Sequence, residues 1–222
     1  MTQTGYYTSQ LGSNTILPAP ASTLFTVWSG GNDVINLVDS GTAITPNQVV
    51  SNLSTAVTTL YDAGGRTFLV PNLPPLGFKP NYVFDPAKRD AANAFVDSFN
   101  PLLNSEINLL LATLTGSTII YLDIHTTFMN AIEDPAAFGL TNVDETAYIP
   151  FPESDPLFPY GSVVENPNEY LFWDDSHGTS TTNSIINEVA YRAVVPEPST
   201  SMFLLFTALL FVARRHLIRK TR

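Results

Sequence analysis

An aspartate stands three residues before a histidine in Tyr170-Leu171-Phe172-Trp173-Asp174-Asp175-Ser176-His177. In a turn, that spacing lets the Asp174 carboxylate bond one ring nitrogen of His177, fix its tautomer and stabilise the imidazolium. The other nitrogen is then free to take a proton from a nucleophile, which is general-base chemistry. Of the other two histidines, His216 falls in a cationic tail. His125 has only Asp123 nearby, two residues back at the end of an apolar run, and reads as an incidental polar residue. A metal site built on Asp174, Asp175 and His177 would need a distant fourth ligand, and the chain has no cysteine to offer a thiolate. Neither a metal nor a cofactor is expected.

A second stretch, Ser29-Gly30-Gly31-Asn32-Asp33, puts a polar amide on a glycine turn. Glycines allow a tight turn and a close approach of backbone to a ligand. The preceding run, Leu24-Phe25-Thr26-Val27-Trp28, is dense in β-formers and reads as a buried central strand. Asn32 would then sit at the carboxyl end of a strand, where open α/β sheets bind their ligands.

The elements that must position these groups follow from pattern. Residues 1–20 are rich in Thr, Ser, Gly and Pro and read as loop. A short helix begins within Val34 to Leu37. Thr45 as N-cap, Pro46 at the first helical position and Gly64 as a stop bound a helix, with Val49, Leu53, Val57 and Leu60 on one face. Thr67 to Val70 is a strand. A long helical pattern from about Pro86 to Leu114 should kink or divide near Asn100, before Pro101. Ser117 to Ile124 is a buried strand and Thr126 to Ile132 a short helix. Asp134 to Asn168 reads as a proline-rich loop, and Thr179 to Ala193 as a final helix with Ile185, Ile186, Val189 and Ala190 inward. Strands alternating with helices predict a three-layer α/β domain on a mainly parallel sheet.

Composition narrows the function classes. With 222 residues, 44% apolar, the chain can bury one sizeable core. Its net charge of −10 is unevenly spread, since Arg214, Arg215, Arg219, Lys220 and Arg222 hold half of the ten cations. Residues 1–199 carry five basic against 20 acidic side chains, net −15. Such a body excludes nucleic acid as a natural partner, because phosphate binding rests on a basic surface.

The tail has its own logic. Val195-Pro196-Glu197-Pro198-Ser199 precedes an apolar run from Met202 to Ala213, and cations follow directly. Twelve helical residues rise roughly 18 Å against a hydrocarbon core of roughly 30 Å, so flanking residues and arginine stems must lengthen the span. The positive-inside rule keeps the cations cytoplasmic and sends the body out. The arrangement closely resembles the PEP-CTERM sorting signal of Gram-negative envelope proteins. That resemblance implies transient membrane anchoring through residues 201–213, processing by an exosortase, and release at the outer surface or beyond. Two units are expected: a domain over 1–193 and a sorting signal over 194–222. No apolar h-region appears before Ala21, so a front truncation, by start-site error or gene fragment, is also expected.

The body resembles the SGNH or GDSL family of serine esterases and lipases. Gly30-Gly31-Asn32-Asp33 matches its Gly-x-Asn-Asp block and Asp174-Asp175-Ser176-His177 its Asp-x-x-His block, 145 residues apart from Asn32 to His177. Val70 to Pro74, Phe99-Asn100 and Pro135 to Val143 are similar too. The resemblance implies an SGNH-hydrolase-like, flavodoxin-like α/β/α fold, truncated at its N-terminus. It implies His177 as base, Asp174 as acid, and Asn32 with the Gly30 N–H as oxyanion-hole donors.

Three departures qualify this. No Gly-Asp-Ser is present, and Ser13 in Leu11-Gly12-Ser13-Asn14 lacks the aspartate and lies too close to Gly30 to serve as nucleophile. The second block's glycine has no match. Gly178 stands where the family has proline. The expectation is a GDSL-type ester hydrolase whose nucleophile is absent, so that this chain alone hydrolyses esters no faster than His177→Ala. Two rivals stand beside it: a non-catalytic surface or matrix protein on a degraded esterase scaffold, and a carbohydrate O-acetyl esterase.

Overall fold

Three apolar runs become one parallel sheet in the computed structural model, which describes residues 3–12, 22–150 and 161–195. Helix α1 (Gln3–Gly12) precedes strand β1 (Leu24–Thr26). Helices α2 (Gly31–Ser40) and α3 (Pro46–Asp62) cross over to β2 (Thr67–Pro71). Helices α4 (Pro80–Val83) and α5 (Pro86–Thr113) cross to β3 (Thr118–Leu122). The strand order is β1-β2-β3, with Leu24 opposite Thr67 and Thr67 opposite Thr118. Helices α6 (Ile124–Glu133) and α7 (Ser180–Val194) follow.

Alternation along the strands sorts the core into two clusters. Phe68, Val70 and Ile119 face a cluster shared with α3 and α5, while Leu69 and Leu122 face one shared with α6 and α7. The period of two thus makes helix, sheet and helix three layers, the expected α/β/α fold. Val49, Leu53, Val57 and Leu60 are all buried, as their spacing requires. Each such side chain contributes about 1.5–3 kcal/mol relative to exposure. Thr45 caps α3 reciprocally: its hydroxyl accepts from the Gln48 N–H, and the Gln48 side chain accepts from the Thr45 N–H.

Four expectations are corrected. Residues 3–12 of the expected loop form α1, because Tyr7 packs edge-on against Phe25 with ring centroids 5.7 Å apart. Of the Leu24 to Trp28 run, Leu24–Thr26 is an edge strand among the described residues and not a central one, and Trp28 beyond it is 43% exposed. The long helix runs unbroken through Pro101: Phe99 and Leu103 are buried on either side of it, and the Asn100 side chain makes two bonds to the Leu73 backbone. Among the described residues, the proline-rich stretch holds a 3-10 turn at Pro135–Phe138 and four short segments of sheet and turn before residue 170. Strand β4 (Asn142–Thr146) pairs in parallel with β7 (Tyr170–Phe172), and β5 (Tyr148–Ile149) pairs antiparallel with β6 (Ser162–Val163).

One close approach joins the β2–α4 connection to the core. The Gly77 N–H donates to Asn93 Oδ1, and a Cβ on Gly77 would lie 2.4 Å from that oxygen and 2.6 Å from the Arg89 carbonyl. The helix backbone of α5 cannot yield. Gly77→Ala is therefore expected to destabilise by about 1–3 kcal/mol, read as a lower urea midpoint at unchanged m-value.

Candidate active site

The Asp174–His177 turn lies between β7 and α7. Trp173 N–H donates to the His177 carbonyl at 2.7 Å, closing the turn, and Phe172 bridges Gly178 in antiparallel fashion. Thr179 caps α7, with its hydroxyl donating to the Tyr170 carbonyl at 2.6 Å. Thr182 Oγ1 donates to the Leu171 carbonyl, so the first turn of α7 is stitched to β7. A Cβ at Gly178 would lie 2.5 Å from the Thr182 methyl. That accounts for glycine at 178: the paired Thr182 fills the space a side chain would need.

Within the turn, Asp174 collects donors. Its Oδ1 accepts the N–H of Ser176 at 2.9 Å and of His177 at 2.8 Å, and both oxygens lie 2.9 Å from His177 Nδ1. Burial works to raise the Asp174 pKa, but the Ser176 N–H and both His177 contacts outweigh it, so the carboxyl is held below its ordinary value. The His177 side chain is 79% exposed, which leaves the ring open on the side away from Asp174. Chemically, this is a carboxylate-oriented imidazole with an accessible second nitrogen.

The sign of a pH effect follows. A carboxyl with a depressed folded pKa contributes stability above its unfolded value and loses it as pH falls through the folded one. The stability gap between wild type and Asp174→Asn should be full above pH 3.8 and close as pH drops below it. Urea titrations between pH 3 and pH 7 would read this, and a gap constant across that range would contradict it.

Gly30 and Asn32 lie beyond the carboxyl end of β1. Gly30 is the N-cap of α2 with φ 118°, a left-handed conformation open to glycine, and a Cβ there would lie 3.3 Å from the side chains of Leu73 and Val49. Asn32, in the first turn of α2, is exposed. Asp123, at the carboxyl end of β3, caps α6 by accepting from Thr126 and from Asn72. It is committed to that cap and does not serve His125 by any hydrogen bond among the described residues. Ser13 lies outside the described residues, as does the tail from 196.

Two residues escaped the sequence reading. Asn72, 2% exposed, ties the strand ends together: its amide donates to Tyr121 and Asp123, and its oxygen accepts from the Ile124 and His125 N–H groups. The visible signal was a lone amide after an apolar strand, between Pro71 and Pro74. Lys79, 3% exposed, reaches Ser176 Oγ in the turn itself. A buried lysine in a loop carries no periodic signal.

The described residues thus place a carboxylate-held imidazole on the loop before α7 of a three-layer α/β domain. The chain belongs to the GDSL-like lipase/acylhydrolase family, whose model matches residues 6–190. The PEP-CTERM protein-sorting motif matches residues 194–220. The chain is similar to GDSL esterase/lipases of Arabidopsis thaliana, at 30% identity over 196 residues in one and 28% over 194 in another, each covering 81% of this chain. It is also 30% identical over 176 residues to the anther-specific proline-rich protein APG of the same plant, covering 74% of this chain and 31% of that one. It spans 52% and 50% of the two esterase/lipases, about half their length.

Proposed function

We propose that these residues form the acid–base arm of a serine esterase acting by acyl transfer to water. The observation that carries this reading is the Asp174 carboxylate holding His177 Nδ1 at 2.9 Å while the rest of the ring stays exposed. His177 takes the proton of a serine hydroxyl as that oxygen attacks the ester carbonyl, and returns it to the leaving alcohol. Asp174 stabilises the imidazolium between the two transfers. Asn32 and the Gly30 N–H donate to the tetrahedral oxyanion. Water then repeats the cycle and frees the acid. The attacking serine is not assigned among the 222 residues, since no Gly-Asp-Ser occurs in them. The protein is exported to the cell envelope by way of its sorting motif, with residues 201–213 as a passing anchor before an exosortase removes them. Among the described residues no helix is long and apolar enough to cross a membrane, and residues 201–213 lie outside them.

A groove of about 440 Å³ beside the turn favours a carbohydrate ester as substrate. Asp144, Glu145 and Asp175 line it with Tyr170 and Phe84, and none of its lining side chains among the described residues is basic. Carboxylates accept from vicinal hydroxyls and aromatic faces take sugar C–H groups, whereas an anionic lipid headgroup would be repelled. The test is turnover of chromogenic short-chain esters by a form of the protein that carries the attacking serine, with and without an alkyl fluorophosphonate. Phosphonate-sensitive turnover is expected. Its complete absence, with the protein folded, sinks the reading.

A further inference from the structure

Lys79 is the one lysine buried among the described residues, and its surroundings do not repay that burial in the ordinary way. No carboxylate lies within ion-pair distance of it among the described residues. Its Nζ has a 3.4 Å bond to Ser176 Oγ and sits 4.0 Å from the centroid of the Tyr82 ring. Removing an ammonium from water is costly unless it is paired and hydrogen-bonded. A methionine would fill the same space without that cost. Burial pulls the Lys79 pKa down, and the fields of Asp39, Asp175 and Asp174 oppose it.

The backbone of Lys79 is fixed from the core side. Its N–H donates to the Leu76 carbonyl, and its own carbonyl accepts from Tyr82 and Val83. The preceding 3-10 turn, Leu76–Phe78, is locked to α5 through Gly77 and Asn93. The Nζ therefore reaches from the α5 layer, across 97 residues of chain, to a turn whose His177 and Asp174 side chains are 79% and 38% exposed. The residue it grips is the one whose N–H bonds Asp174 Oδ1.

We propose that Lys79 is a positioning residue for the acid–base turn: its ammonium holds Ser176, and Ser176 in turn holds the Asp174 carboxylate against His177 Nδ1. This rests on the reading of Asp174 and His177 as the acid–base pair. Lys79 touches neither the ring nor the substrate. Its effect is to keep the carboxylate aimed, so that the proton stays on Nδ1 and Nε2 is presented as the acceptor.

The experiment is a multiple-bond proton–nitrogen spectrum of the histidine rings in the ¹⁵N-labelled full chain above the ring's titration, with His177 assigned through His177→Ala. The wild type is expected to show the Nδ1–H tautomer. Lys79→Met and Ser176→Ala are each expected to lose it as the dominant form, with the backbone amide spectrum otherwise kept. Wild-type ring shifts in folded Lys79→Met, or in Ser176→Ala, overturn the proposal. If Lys79→Met does not fold, Ser176→Ala decides alone, since Ser176 is exposed. Turnover plays no part in this readout, so failure here and failure of the esterase reading are told apart.

Discussion

Replacing His177 by alanine is expected to lower kcat/KM for a short-chain ester by on the order of 10⁴-fold or more, with KM nearly unchanged. The base acts only as the hydroxyl proton moves, so its loss falls on the chemical step and not on substrate binding. Asn32→Ala should lose less, on the order of 10²–10³-fold, because it removes one of the two oxyanion donors proposed. The two losses together should be far from additive, since each matters only while the other works. The measurement is steady-state hydrolysis by a form of the protein that carries the attacking serine, with the variants matched for folding. A His177→Ala variant within tenfold of wild type would remove the imidazole from the mechanism and leave Asp174 without a catalytic purpose.

The largest stability effect is expected at Asn72. Its side chain uses both amide hydrogens and accepts two backbone N–H groups at 2.8 and 2.9 Å, in a site 2% exposed. Its backbone is engaged as well: the N–H donates to the Leu122 carbonyl, and the carbonyl accepts from Trp28 Nε1 at 3.1 Å. Asn72→Ala orphans the Ile124 and His125 N–H groups, and each buried unmade donor costs about 1–3 kcal/mol. With the small cavity added, a loss of about 3–5 kcal/mol is expected. Urea unfolding should show the midpoint falling at constant m-value. A loss under about 1 kcal/mol would mean that water replaces the amide without penalty, contrary to its burial.

The Asp174–His177 contact was legible because it is local: three residues in a closed turn meet wherever the turn is placed. Helix α3 was legible for the same reason, since Thr45 and Pro46 mark its start in adjacent positions. The inward face of α7 also followed from spacing, with Ile185, Ile186, Val189 and Ala190 packed on the second cluster. What stayed hidden depends on contacts far apart in sequence. Tyr7 makes α1 worth forming only because Phe25 is there to receive it. An apolar run cannot say whether a partner lies on one side or two, so β1 was misplaced as central. Pro101 ordinarily breaks a helix, yet with buried residues flanking it and the grip of Asn100 on Leu73 the helix is not divided there. Lys79 and Asn72 matter through partners 97 and about 50 positions away, which no periodicity encodes.

The register of the sheet sets how the molecule must assemble in time. Leu24 pairs with Thr67 and Thr67 with Thr118, so each parallel ladder closes over a loop of more than 40 residues. Loop entropy has to be lost before any ladder bond rewards it, and such non-local topologies fold slowly. Helices α3 and α5, each carrying a continuous buried stripe, can collapse on each other before the strands find register. During that interval the short β1 presents an unpaired edge beside exposed Leu24 and Trp28. Dilution of unfolded protein into buffer should therefore give a yield that falls with concentration, as intermolecular strand pairing competes with a slow search for the native neighbour.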